Sequence, residues 1–244
     1  MGKKEFVMEN WYGFRLEKEN FEGRELICVY PEKPNGRWVL KTEYFGAFPK
    51  AEIELVNKGY HLFHLQSITR WHKDEDTEAR ARLCDYVSEK YGLSKKCVVV
   101  GMSCGGMQGI YLGAKHPECV SVLYLDAPVV NLLSCPAGLG KAGSDMLSEF
   151  ETAKDMSLTD LLSYREHPLD YIPMLVKSGI PVILVAGDSD KVVPYDENGI
   201  LLEKAYTAAG CVLETYIKEG CDHHPHGLED VSPILDFIEK YDKD

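Results

Sequence analysis

The chain has no surplus of positive charge. Lysine and arginine number 27 against 39 aspartates and glutamates, a formal net charge of −12. A phosphate backbone or an anionic lipid surface would be repelled, so neither nucleic acid nor a membrane is an expected partner. The chain also lacks any apolar run of the roughly 20 residues that a membrane span needs. Residues 1–10 carry two lysines but not the apolar stretch of a signal peptide, and we expect a cytoplasmic location. The eight cysteines (Cys28, Cys84, Cys97, Cys104, Cys119, Cys135, Cys211 and Cys221) include no CxxC pair, and several sit in strand-like runs such as Lys96-Cys97-Val98-Val99-Val100. That scatter suits reduced thiols in a core, not a disulfide frame or a zinc site. There is no internal repeat, low-complexity tract or linker, which favours one domain over 1–244. With 45% hydrophobic and 27% charged residues the chain can bury a core, which argues against disorder.

What is present is an alternation. Residues 1–41 carry β-type runs at 6–8, 26–30 and 37–41, divided by the turn signals Glu22-Gly23 and Pro34-Asn35-Gly36, and read as an antiparallel entry to a sheet. Beyond Pro49 the pattern predicts helix to Lys58-Gly59, strand 60–65, helix 77–91, strand 97–101, helix 104–115 and strand 120–125. After an insert at about 129–178 come strand 182–186, helix 197–209, strand 213–218 and helix 231–240. Strands that are continuous apolar runs, alternating with longer helical patterns, indicate an α/β fold whose mostly parallel sheet is covered on both faces. The insert shows short helix patterns near 144–154, 158–165 and 168–177 and is expected to form a small lid.

Three loops carry chemistry. In Val98-Val99-Val100-Gly101-Met102-Ser103-Cys104-Gly105-Gly106, a Gly-x-Ser-x-Gly stands between a buried strand and a helix. Glycines are needed in so tight a turn, the serine is held above the sheet edge, and the helix N-terminus offers free N–H groups to an oxyanion. Cys104 is a rival nucleophile, since a thiol at a helix N-terminus is activated, but the elbow presents its central residue, Ser103. Such a serine needs a downstream carboxylate and histidine. Asp188 and Asp190 follow the strand at 182–186, and Asp222, His223, His224 and His226 follow the strand at 213–218, both at the strand edge where α/β ligands bind. The histidines show no spacing that argues for a metal, and no metal or cofactor is expected.

Over nearly its whole length the chain resembles the α/β-hydrolase superfamily. Gly101-Met102-Ser103-Cys104-Gly105 looks like its nucleophile elbow, and Gly187-Asp188-Ser189-Asp190 with Val192-Val193-Pro194 looks like its acid loop, which implies Asp190 as the acid. Gly220-Cys221-Asp222-His223 looks like its histidine loop, which implies His223 as the base, although Asp222 stands where glycine is usual and His224 and His226 lie close by. The segments Glu43-Tyr44-Phe45-Gly46-Ala47-Phe48-Pro49, Asp126-Ala127-Pro128-Val129 and His223-His224-Pro225-His226-Gly227-Leu228 resemble a subgroup of bacterial carbohydrate-associated esterases. An oxyanion hole would take the backbone N–H of Cys104 and, by resemblance to His-Gly-x-Gly loops, that of Phe45, with those of Tyr44 and Ala47 as alternatives. Asp126 is expected to line the pocket or to bond neighbouring loops. Trp71-His72 is expected to be a pocket wall or a surface pair.

The implied activity is cleavage of a small carboxylic ester, with acylated carbohydrate as one such class, through an acyl-enzyme. Acyl transfer or peptide cleavage on the same fold is the alternative, and a non-catalytic binding module would be signalled by loss of one of the three residues. None is lost.

Overall fold

The computed structural model describes residues 9–243, so the strand expected at 6–8 lies outside the described residues. Nine strands and eight α-helices occur among them: β1 (Glu9–Trp11), β2 (Phe14–Phe21), β3 (Arg24–Tyr30), β4 (Trp38–Lys41), α1 (Lys50–Asn57), β5 (His61–Leu65), α2 (Asp74–Tyr91), β6 (Cys97–Met102), α3 (Cys104–Lys115), β7 (Val120–Asp126), α4 (Leu147–Lys154), α5 (Leu158–Ser163), α6 (Pro168–Ser178), β8 (Val182–Gly187), α7 (Gly199–Ala209), β9 (Leu213–Lys218) and α8 (Ser232–Tyr241). The strands form one sheet in the order β1-β2-β3-β5-β4-β6-β7-β8-β9. The pairings from β1 to β5 are antiparallel, and those from β5 through β4 to β9 are parallel.

Two expectations for the N-terminal part need correction. The strand at 37–41 is not part of the antiparallel entry: β4 pairs in parallel with both β5 and β6. The charged run Glu17-Lys18-Glu19 hides β2, whose two buried residues, Leu16 and Phe21, lie five positions apart and so on opposite faces; the hydrophobic pattern is too thin to be read as a strand.

The central strands are apolar on both faces because both are covered. Val99 of β6 joins the core beneath α2, α3, α6 and α7, with Leu83, Ile110, Leu175 and Leu202, whereas Val98 and Val100 join the core beneath α1 and α8, with Leu55, Ile234 and Phe237. Successive side chains of a strand point to opposite faces, and each such Val or Leu contributes roughly 1.5–3 kcal/mol on burial.

The insert divides into two parts. Its third helix, α6, carries Ile172 and Leu175 into the main core with Ile110, Leu123 and Val182, so this end of the expected lid is scaffold. The remainder, with α4 and α5, packs as a separate cluster in which Phe150 and Leu161 meet Trp71, Met107 and Tyr111. Among the described residues no helix is long and apolar enough to cross a membrane.

Candidate active site

The parallel strands deliver their following loops to one edge of the sheet. Ser103 follows β6 with φ +53° and ψ −120°, a region an L-residue occupies only when its surroundings hold it there. Two backbone bonds to the neighbouring strand end do so: Ser103 N–H donates to the Asp126 carbonyl at 2.9 Å, and Val129 N–H donates to the Ser103 carbonyl at 3.1 Å. A Cβ at Gly101 would come within 2.6 Å of the Gly105 carbonyl, and one at Gly106 within 2.5 Å of Pro128 Cβ. The strand, turn and helix can therefore close this tightly only without side chains at those positions.

His223 Nε2 lies 3.1 Å from Ser103 Oγ, and its Nδ1 lies 2.7 Å from Asp190 Oδ2. Both His223 and Asp190 are buried. Burial alone would raise the Asp190 carboxyl, but the hydrogen bond and charge of His223, with the Val193 and Val192 N–H groups, outweigh it and hold the carboxyl below its ordinary value. Those two N–H groups bond Asp190 Oδ1 at 2.8 Å each, which leaves Oδ2 for the histidine. Asp188 points elsewhere, accepting from Ser189 Oγ at 2.9 Å and Gly220 N–H at 2.8 Å. Asp222, where a small glycine was the usual residue, bonds the N–H groups of Lys191 at 3.0 Å and His223 at 2.8 Å and so ties the histidine loop to the acid loop.

Burial pushes the Cys104 thiol up to about 11, against smaller lowering effects of a hydrogen bond with Tyr44 and the Arg70 charge. The thiol is thus neutral near pH 7, unlike an activated cysteine. Its backbone N–H starts α3. Across the cleft, the loop 42–49 is anchored below by Lys41, which is buried with Glu52 of α1 and donates to the Ala47 carbonyl at 3.2 Å. Arg80 anchors it too, reaching the Thr42 carbonyl at 3.0 Å and Ser67 Oγ at 2.7 Å. Phe45 turns its ring away from Ser103, to Trp11 and His64 at 5.7 Å each. Tyr44 stands at φ +54° and lines the site. Ala47 N–H is taken by the Tyr44 carbonyl at 2.8 Å, which weighs against it as an oxyanion donor.

A cavity of about 390 Å³ opens over Ser103, with Tyr44, Phe48, Met102, Met146 and Val192 among its apolar walls and Arg70 as the cation on its lining. Arg70 is gripped by Glu149 of α4, with Nε at 2.7 Å from Oε1. Trp71-His72 is neither a pocket wall nor a surface pair. Trp71 and His72 are both buried: Trp71 donates to Glu149 at 3.0 Å and packs edge-on against Phe150, and His72 stacks on Tyr111 at 3.9 Å. They anchor the insert. Sequence reasoning missed Arg70, Phe48 and Met146 as wall residues: Arg70 and Phe48 sit in irregular loops, and nothing in the helix pattern near 144–154 aims Met146 at the cavity.

His226, in the same loop as His223, reaches the end of β7. Its Nδ1 lies 2.7 Å from Asp126 Oδ1, and Gly227 N–H donates to Asp126 Oδ2 at 2.5 Å. His224 is exposed and stacks on Phe48 with ring centroids 5.3 Å apart.

Sheet order, elbow and crossovers define an α/β-hydrolase. Solved structures of low identity share this fold. Est1E from Butyrivibrio proteoclasticus matches at a TM-score of 0.65 and 16% identity over 92% of this chain and 99% of its own. Acylaminoacyl peptidase from Pyrococcus horikoshii matches at 0.69 and 12% over 94% and 42%. Dipeptidyl peptidase 4 from Porphyromonas gingivalis matches at 0.66 and 15% over 93% and 34%. The chain spans 34–42% of the peptidases it matches. A family model described as "Putative esterase" covers residues 54–224, and the chain belongs to this esterase family.

Proposed function

We propose that the protein hydrolyses small carboxylic esters through an acyl-enzyme on Ser103. One observation carries this reading: a buried carboxylate, a histidine and a strained serine stand in line, with Asp190 Oδ2 2.7 Å from His223 Nδ1 and His223 Nε2 3.1 Å from Ser103 Oγ. Asp190 fixes the tautomer that leaves Nε2 unprotonated. That nitrogen takes the Ser103 proton as Oγ attacks the ester carbonyl, and returns it to the leaving alcohol. Water then attacks the acyl-enzyme with the same base. The N–H groups of Cys104 and Phe45 are our assignment for the oxyanion donors, Cys104 because it opens α3 and Phe45 because its loop is doubly anchored.

The 390 Å³ cavity is at the small end of the usual ligand range of about 300–1,000 Å³, which favours a short acyl group or a compact alcohol such as an acylated sugar. The part of the insert at 129–166, which sends Met146 to the cavity wall, serves as its cover, and the whole acts as a single domain. The free, mostly buried cysteines support a reducing, cytoplasmic setting for this chemistry. Nitrophenyl esters of graded acyl length, with acetylated and feruloylated sugars alongside, test the proposal: turnover of at least one class that is abolished in Ser103→Ala is expected, and no turnover of any ester would reject it.

A further inference from the structure

We propose that His223, His224 and His226 form a binding site for a borderline divalent transition ion such as Zn²⁺, and that its occupancy silences the hydrolase. The silencing half rests on the function proposed above, whereas the binding half does not. His-His-Pro-His brings three imidazoles onto one turn of chain, with ring centroids 4.8–4.9 Å apart on every side of the triangle. One ligand nitrogen from each lies within 4.8 Å of the others.

Two of the rings are already oriented as metal-bound histidines are. In such sites the second ring nitrogen usually donates to a carboxylate, which sets the tautomer and leaves the other nitrogen's lone pair free. Here Asp190 takes Nδ1 of His223 and Asp126 takes Nδ1 of His226, each at 2.7 Å, so the free lone pairs are both on Nε2. The two carboxylates behind the rings favour a cation in front of them.

Bonds of about 2.0–2.1 Å in tetrahedral geometry put ligand nitrogens about 3.4 Å apart, so the cluster must contract by somewhat over about 1 Å. His224 can make that move. It is the exposed member, held by a stacking contact with Phe48, and exposed side chains change rotamer readily. Three imidazoles and an open fourth position suit Zn²⁺, Cu²⁺ or Ni²⁺, and not Mg²⁺ or Ca²⁺, which take oxygen ligands. The consequence for catalysis is direct: the His223 nitrogen an ion would occupy is the one 3.1 Å from Ser103 Oγ.

Metal-stripped Ser103→Ala protein titrated with Zn²⁺ by calorimetry reads binding without catalysis, while wild-type hydrolysis of nitrophenyl acetate in the same Zn²⁺ series reads inhibition. We expect one site per chain for Zn²⁺ and none for Mg²⁺, inhibition that EDTA reverses, and a weakening of both of at least tenfold in His224→Ala, measured against that variant's own zinc-free rate. His116, with Glu78 at 3.0 Å and Glu118 at 3.3 Å, is the competing surface site, and His116→Ala should bind as before. Zinc binding that is unchanged in His224→Ala, or lost in His116→Ala, overturns the proposal. Binding that weakens in His224→Ala in a protein with no esterase activity leaves the site standing and removes the silencing role together with the functional reading.

Discussion

His226 holds Asp126 as His223 holds Asp190: Nδ1 to carboxylate oxygen, 2.7 Å, both partners buried. The two pairs sit at the ends of adjacent strands, β7 and β8, and it is His223 that has its Nε2 3.1 Å from Ser103 Oγ. Separate alanine replacements should therefore fail differently. His223→Ala should still fold, with a stability loss of the same order as that of His226→Ala, and should lower kcat by several orders of magnitude. His226→Ala should keep far more activity, yet lose on the order of 1–3 kcal/mol of stability, because Oδ1 of the buried Asp126 carboxylate is left without its hydrogen-bond partner. Steady-state kinetics and urea midpoints on the two variants check this, and a larger kcat loss in His226→Ala would exchange their roles.

Ser103→Ala should fold as the wild type does and lose a thousandfold or more of its activity, about 4 kcal/mol of transition-state stabilisation. A fluorophosphonate probe should label the wild type and not the variant. Label retained in Ser103→Ala, or mapped to Cys104, would show that the neutral, buried thiol had been misjudged.

Asp190→Asn should cost about 10⁴ in kcat, by analogy with the loss of the orienting carboxylate in serine proteases, while Asp188→Asn removes only an acceptor of two loop hydrogen bonds and should stay within about tenfold of wild type. Equal losses would mean that the acid loop works as a unit and that Asp190 has no separate part.

Gly187→Ala tests how the acid and histidine loops are held. A Cβ at Gly187 would stand 2.2 Å from the Cys221 carbonyl and 2.8 Å from that of Asp222, so the histidine loop has to move away. Because a displacement of about 1 Å at a catalytic group can cost about a hundredfold, kcat should drop by that order with the three chemical residues untouched. Unaltered kinetics would show that the loop has slack which the close contact does not suggest.

Acid sensitivity has a specific source in His72. Burial, with the Lys154 charge adding to it, lowers this histidine from 6.5 to about 3. Between those values the unfolded chain binds a proton that the folded chain does not, so stability rises with pH across this window and falls on acidification, by up to about 1.4 kcal/mol per unit from this group. His61, His64 and His167 are lowered too, chiefly by burial, and add to the same slope. His72→Gln should flatten the slope of unfolding free energy between pH 6.5 and 4; a slope identical to wild type would place the proton elsewhere.

The sequence by itself determined the alternation of apolar strands with helices, and so the parallel sheet. It determined the elbow as well, because the demand of a tight turn for glycine is local and is written into five consecutive residues around Ser103. The preference for Asp190 over Asp188 comes from the likeness of the acid loop to that of the superfamily, and the N–H groups of Val192 and Val193 that hold the carboxylate facing the histidine are seen only in the structure. What only the tertiary structure decided were relations across strands. The pairing of Asp126 with His226 spans a hundred residues, and Arg70 meets Glu149 through a contact between an irregular loop and α4 of the insert. β4 turned parallel because its neighbours are β5 and β6, which its own four residues do not record. Local patterns encode backbone conformation and burial; which buried acid meets which histidine is set by strand order and register, and those are fixed only when the whole sheet packs between its helices.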